Sequence, residues 1–369
     1  MTDRLPAEVF PPGEYLADEL EERGWSQGDF AEIIGRPVQF VSEIINAKKE
    51  LTAESAAQIA AALGSEASTW LGLQTSYQLW RLGQDPEHRD VESRVAKRAR
   101  IAEVIPFAPL EKRGVIRSDE SLDDLLDEVK RDFNMVSPDD VPRFRLAAKR
   151  SNHAEELSLT QRGWLWAAQR LARAQEVQDY DEAGFQQLVE GLAREVSAPE
   201  DLAVLPERFA GVGVHLVFVE HFPGGKIDGA AFMLADRPVI AVSGRGKRFD
   251  KLFFAIMHEC AHVLAGHVDD GIALDDLADE GARQANEARE DQANDRAERW
   301  SLGGPVHLSG VPSAQAVSAI AAQLGVPVAF VVGNLQHHHV VPWKTTLARG
   351  LPNADDVLRT WASNPKDGH

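Results

Sequence analysis

Cysteine is almost missing from this chain of 369 residues: Cys260 stands alone, which excludes an internal disulfide framework and the small stapled folds that depend on one. Long apolar runs are missing too. No stretch approaches the about 20 residues that a membrane-spanning helix needs, and the opening MTDRLPAEVFPPGEY has neither the basic start nor the apolar core of a secretory leader. A cytoplasmic protein with no membrane partner is therefore expected. Positive charge is scarce: 39 Lys and Arg stand against 58 Asp and Glu, a net charge of -19, which favours solubility and opposes unspecific adhesion to nucleic acid or anionic lipid. The rest is ordinary globular composition, 44% hydrophobic and 26% charged. The length exceeds what one core usually organises, so two or three domains are expected.

The first eighty residues alternate short amphipathic stretches with turn signals. One helix closes over 18–23 at Gly24, Ser26 caps a second over 27–34, Gly35 breaks it, and a third runs over 37–45. Thr52 opens a fourth, with Ala56, Ile59, Ala60 and Leu63 on one face. Over 84–118 periodicity weakens around a basic stretch (Arg94, Lys97, Arg98, Arg100) and a Pro-punctuated connector at 105–109. Helical spacing returns over 121–129 and 159–175, where Trp164 and Trp166 read as packing residues. Beyond Leu205 the pattern turns β-branched and alternating: strands are predicted at 214–219, at 230–234 after an Asp228-Gly229 turn, and at 239–242. They imply a small, largely antiparallel sheet. A long helix follows from Phe249, then an acidic stretch over 269–299 and a further helix over 313–324. The fold class is α+β, mainly α. The expected division is an N-terminal helical domain (1–83), a helical connecting region (84–204), a core carrying the sheet (205–305) and a helical extension (306–369) whose tail from Asn364 frays.

Inside the long helix, His258-Glu259-Cys260-Ala261-His262 has the HExxH spacing. Residues i and i+4 share a helical face, so both imidazoles can address one metal ion, while Glu259 projects beside them to take a proton from a water that the ion acidifies. Two imidazoles and a carboxylate are costly to bury without partners; the alternative is exposed polar residues on a surface helix. A catalytic zinc needs a third protein ligand. His267 lies too near His262 along the chain and reads as a helix-end residue, whereas Glu287 or Glu290 on the next helix can reach. Cys260 points away from the histidine face and reads as a buried, inert thiol.

Several segments extend this reading. Ile227-Asp228-Gly229-Ala230, Arg237-Pro238-Val239-Ile240, Phe253-Phe254 ahead of His258-Glu259, and Glu290 followed by Ala293-Asn294 and Ala297 resemble the ImmA/IrrE-type metallopeptidases over about 205–305. That resemblance implies a zincin-like domain with Glu290 as third ligand and zinc as cofactor; His and carboxylate ligands also admit manganese. The chain departs from the family at Arg296 and Glu298-Arg299-Trp300, where apolar residues and Leu-Met-Pro are common. The segment 331–337 resembles a Gly-Arg-Leu-Gln-His segment of fused members, with Asn334 in place of the Arg, which implies that His337 assists the transition state. Taken as bare residues, His337, His338 and His339 equally suit an exposed loop.

Near the N-terminus, the helices over 27–34 and 37–45 around Gly35 have helix-turn-helix proportions. Gln27, Gln39, Ser42 and Asn46 are available to bases and phosphates, and Lys48 and Lys49 to the phosphate backbone. Pro12-Gly13-Glu14-Tyr15-Leu16, Trp25-Ser26-Gln27, Ser42-Glu43-Ile44-Ile45-Asn46, the stretch 48–52, and Leu63-Gly64 through Gln74 resemble the XRE-type helix-turn-helix of HigA-like antitoxins over about 12–79. This resemblance implies operator DNA, often bound as a homodimer, and frequently a toxin partner. Charge opposes it: residues 1–80 hold 5 basic and 13 acidic residues, a net of -8, so affinity for DNA must draw on dimerisation or on the basic stretch 94–100. A helical interaction module that binds no DNA is the other reading.

The expected function is a DNA-binding regulator or antitoxin-like protein with a metal-dependent endopeptidase domain that hydrolyses a partner protein, a repressor or a toxin. The alternatives are a non-catalytic antitoxin or transcription factor that uses the peptidase fold as a sensor or toxin-binding surface, and an autoproteolytic switch.

Overall fold

The computed structural model describes residues 9–135, 157–269, 272–276, 283–308 and 312–362, with the backbone alone for 273–276, 283–287 and 362. The tail from Asn364 lies outside the described residues. Contacts divide the chain after Ala96.

The first unit packs α1 (Pro12–Arg23), α2 (Gln27–Ile34), α3 (Val38–Ile45), α4 (Ala53–Leu63) and α5 (Ala67–Gln84) around Leu16, Phe30, Val41, Ile44, Ile59 and Trp70. Local chemistry sets the breaks. Ser26 accepts from the backbone N–H of Asp29, whose carboxylate accepts in return from the Ser26 N–H, a capping box that starts α2. Gly35, at φ 65°, ends α2 in the left-handed region that a side chain disfavours. The turn between α2 and α3 is thus written into the sequence. α1 crosses α3 closely at Gly13, where a Cβ would lie 2.1 Å from the Ile44 carbonyl oxygen.

The division falls within α6 (Pro86–Val104), a helix in the stretch where sequence periodicity fades. Its buried residues, Ile101 and Val104, lie at one end, while Val91 and Val95 in its first half are exposed, so no buried stripe runs its length.

The second unit continues with α7 (Phe107–Lys112), α8 (Leu122–Asp132), α9 (Leu159–Ala174), α10 (Glu182–Glu195) and α11 (Leu205–Gly211). Then come β1 (His215–Phe218), β2 (Ile227–Leu234), β3 (Arg237–Val242), α12 (Phe249–Leu264), β4 (Ala273–Asp276) and α13 (Arg283–Leu302). α14 (Ala314–Leu324), α15 (Val328–His337) and α16 (Asp355–Ala362) complete it. The strands form one sheet in the order β1-β3-β2-β4. The β2/β3 and β2/β4 pairs are antiparallel, whereas β1 runs parallel to β3, with His215 opposite Val239. Two sequence expectations change here. A fourth strand lies in the acidic stretch, where its composition hides it, and Asp228-Gly229 belongs to β2 rather than to a turn.

Side chains alternate across this sheet. Leu216, Ala231, Ile240 and Val242 join the core formed with α12 and α15, while Val217, Ala230, Phe232, Val239 and Ala241 join the core formed with α9. The middle helices therefore cover one face of the sheet, and residues 97–369 make a single unit where the sequence suggested a connector followed by a core. Trp164 and Trp166 are fully packed, and the Trp164 indole donates to the Val219 carbonyl at 2.9 Å. Among the described residues no single helix is long and apolar enough to cross a membrane.

His215 begins β1 in a buried setting, and burial, with the Arg237 charge adding, pushes its pKa down to about 4 from 6.5. Below pH 6.5 the unfolded chain binds a proton there that the folded chain refuses, so stability falls as pH drops from 6.5 towards 4. Urea unfolding at pH 7.5 and 4.5 should show wild type losing about 2–3 kcal/mol more than His215→Leu over that interval. Equal losses in the two proteins would mean that the imidazole titrates alike in both states.

Candidate metal centre and helix-turn-helix face

α12 is buried on nearly every side. Phe249, Leu252, Ile256, Met257 and Val263 enter the core, and Phe253 stacks on Phe330 with ring centroids 4.3 Å apart. His258, Glu259 and His262 are 4%, 1% and 2% exposed, which removes the reading of polar residues on a surface helix. Cys260 lies in the same apolar core, and burial pushes its thiol pKa well up, so thiolate chemistry is disfavoured.

One helical turn apart, His258 and His262 bring their Nε2 atoms within 3.0 Å of each other. Glu290 Oε2, from α13, lies 3.2 Å from the first and 3.5 Å from the second. Ligands held tetrahedrally at about 2.0–2.1 Å from zinc stand about 3.3 Å apart, so the three atoms already have the spacing of a shared ion. The chemistry of the donors also fits. Asn294 Oδ1 lies 3.0 Å from His258 Nδ1 and can only accept, which leaves the Nε2 lone pair facing the Glu290 carboxylate. Two lone pairs that face each other in a buried pocket call for a cation or a shared proton between them. Burial lowers the His262 pKa, which favours the neutral ring a metal requires. Burial works to raise the pKa of Glu290, but wherever the adjacent His258 and His262 rings carry a proton towards it they prevail, bringing it down to about 2. Glu287 has its side chain outside the described residues.

Glu259 lies against β2. A Cβ on Gly229 would sit 2.4 Å from Glu259 Oε1 and 3.0 Å from its Cγ and Cδ, so this strand position admits only glycine while the carboxylate is there. Gly229→Ala should therefore cost about 1–3 kcal/mol of stability by overpacking. In a Glu259→Ala background the same substitution should cost much less, because the colliding atoms are gone. Additive losses in chemical denaturation would show that the strand, not the carboxylate, resists the methyl group.

His262 has a further neighbour. α12 ends in two backbone bonds, Gly266 N–H to Val263 O and His267 N–H to His262 O, with Gly266 at φ 68°. This Schellman arrangement folds His267 back over the last turn, where its Nδ1 lies 3.0 Å from His262 Nδ1 and its Nε2 lies 2.9 Å from Gln292 Oε1. His267 is a helix-end residue, as its spacing predicted; that its ring meets a candidate ligand was legible only in the glycine before it.

The two departures from the metallopeptidase pattern meet in space. The Asn334 side chain donates to Glu298, which also pairs with His338, and its Oδ1 accepts from Val306 N–H at 3.2 Å. The three consecutive histidines thus separate. All three are exposed, but in different settings: His337 closes α15 with its ring 5.7 Å from that of Phe254, His338 pairs with Glu298, and His339 turns the chain at φ 57°. His337 also lines a cleft of about 440 Å³ together with Phe254, His258, Glu290, Asn294 and Trp343. Burial, then the charge of His338, lowers its pKa.

In the first unit, Gln27, Gln39, Asn46, Lys48 and Lys49 are exposed and Ser42 is half-buried. Glu43 stands among them: Gln39 donates to it at 2.9 Å and Lys49 pairs with it at 3.6 Å, while Asn46 turns back to the Ser42 carbonyl. Glu43 thus offsets positive charge on the α3 face. Within the basic stretch, Lys97 pairs with Asp123 and Arg98 pairs with Glu111.

None of the curated proteins matches the chain. Among solved structures it is similar to a protein described as an antidote of a plasmid maintenance system from Nostoc punctiforme, 32% identical over 24% of this chain and 97% of that one, with a TM-score of 0.22. It is also similar to an addiction module antidote protein of the HigA family from Coxiella burnetii, 31% identical over 20% and 80%, with a TM-score of 0.19. The sequence model of the helix-turn-helix family matches residues 16–70, the span that folds as α1 to α4 and the start of α5. Residues 16–70 thus form a helix-turn-helix domain within the N-terminal unit.

Proposed function

We propose that the chain is a DNA-binding, antitoxin-like regulator whose second unit is a zinc-dependent endopeptidase acting on a partner protein. The DNA-binding half rests on the helix-turn-helix domain, and the antitoxin comparison on the antidote proteins that resemble it. The peptidase half rests on one observation, the convergence of His258 Nε2, His262 Nε2 and Glu290 Oε2 in a buried pocket that opens to a cleft.

His258, His262 and Glu290 would hold the ion, leaving a fourth position open. When bound, it would acidify a water and polarise a peptide carbonyl. Glu259 is the base that removes the water's proton and delivers it to the leaving amine. Asn294 fixes the His258 ring, and His337, in the cleft wall, is positioned to donate a hydrogen bond to the carbonyl oxygen as negative charge develops there. Operator binding by a unit of net charge -8 over residues 1–80 requires a second copy on the same DNA to raise the effective concentration.

A binding-only regulator remains the competing reading, favoured by Glu43 and the pairing of Lys97 and Arg98, which suit protein contacts better than phosphates. The test is a comparison of protein N-termini in cells that carry the wild-type chain or Glu259→Gln. A partner, or the chain itself, cut only in wild-type cells supports the peptidase, and cleavage of the chain alone would make it autoproteolytic. Identical N-termini would favour the binding-only regulator.

A further inference from the structure

We infer that His267 and Gln292 form a positioning relay that fixes the tautomer of His262 and so sets the affinity of the centre for zinc. The inference rests on the metal reading proposed above and deepens it, by naming groups that touch no substrate and no ion.

The relay follows from hydrogen-bond direction. An amide oxygen only accepts, so Gln292 Oε1, 2.9 Å from His267 Nε2, puts the His267 proton on that nitrogen. His267 Nδ1 is then a lone pair. It lies 3.0 Å from His262 Nδ1, which must carry the proton between them. His262 Nε2 is left as a lone pair aimed at His258 Nε2 and Glu290 Oε2, 3.0 and 3.5 Å away. Without His267 the neutral His262 ring could place its proton on Nε2 and donate it to Glu290, and an incoming ion would first have to displace it. Outer partners of this kind both orient a ligand and raise its basicity.

The sequence builds the relay from three local choices. Gly266 in the left-handed conformation turns the chain at the end of α12, so that His267, five residues after His262, lies over it. Gln292 stands on α13 between Glu290, a candidate ligand, and Asn294, the partner of the His258 ring. One helix thus supplies the third ligand and, directly or through His267, the acceptor that orients each imidazole. Gln292 is itself exposed, so it can be altered without opening the core.

Zinc affinity of the full-length chain, measured by competition with a chromophoric chelator, tests this, with the melting temperature of each metal-free protein taken alongside. His267→Phe keeps the ring and removes the acceptor, and should weaken zinc binding about 10–100-fold. His267→Asn keeps an acceptor near the Nδ1 position and should recover most of that loss. Gln292→Leu should weaken binding by a smaller factor, whereas Gln292→Glu, which can only accept, should match or exceed the parent. The metal-free melting temperatures of the Gln292 variants should stay at the parent value, a result that separates positioning from folding. Parent-like affinity in His267→Phe, or equal losses in Gln292→Leu and Gln292→Glu, would overturn the relay while leaving the metal centre standing. A parent chain that takes up no zinc would overturn the metal reading, and the relay with it.

Discussion

Replacing His262 with alanine should remove stoichiometric zinc from the purified chain and weaken its zinc binding by more than about 100-fold, since a lost ligand costs more than a lost outer partner. The geometry gives the reason. Three donor atoms within 3.5 Å of one another surround one point, and removing one leaves a single imidazole and a carboxylate, too few to replace the waters of a hydrated ion at micromolar concentration. The substitution also opens a buried volume, so unfolding by heat must be followed in parallel to separate a lost ligand from a lost fold. Elemental analysis of wild type and His262→Ala decides the matter. Zinc present in the first and missing from a folded second establishes the centre. Zinc retained in both would move it elsewhere, and neither zinc nor manganese in either would leave a DNA-binding or toxin-binding protein on a fold without its metal.

Glu259→Gln has the second large effect and reads a different link in the chain from structure to function. The two side chains have nearly the same volume, so the contact with Gly229 is retained, and His258, His262 and Glu290 are untouched. Zinc affinity should stay within a few-fold of wild type. A neutral amide cannot take the water's proton, and turnover of a partner protein should fall about 10²–10⁴-fold, the usual contribution of a positioned general base. Zinc retained with cleavage lost identifies Glu259 as the base. Undiminished cleavage by Glu259→Gln would transfer the role to another group.

Much of the fold was legible where local chemistry decides it. The Ser26 capping box, Gly35, Thr52 and Gly64 bound the helices of the first unit within a residue of their predicted positions, and the span over which antitoxin-like residues recur contains the match to the helix-turn-helix model. HExxH placed two imidazoles on one helical face because 3.6 residues per turn leaves no other arrangement. Other features had no local signal. α6 lacks a buried stripe along its length, β4 lies in acidic sequence, and the parallel β1/β3 pair depends on a connection that periodicity does not encode.

The sequence by itself determined the helix-turn-helix, the α+β character of the remainder, the burial of the long helix and the identity of two candidate ligands. Each is fixed by periodicity, capping or composition within a few residues. The tertiary structure decided the rest. It brought Glu290 to His258 across 32 residues of chain, laid Glu259 against a strand glycine, and joined Asn334 to Glu298. It also turned an apparent connector into the layer that covers one face of the sheet. These contacts depend on which faces of distant elements meet when apolar surface is buried, and that is a property of packing that no short window of sequence contains.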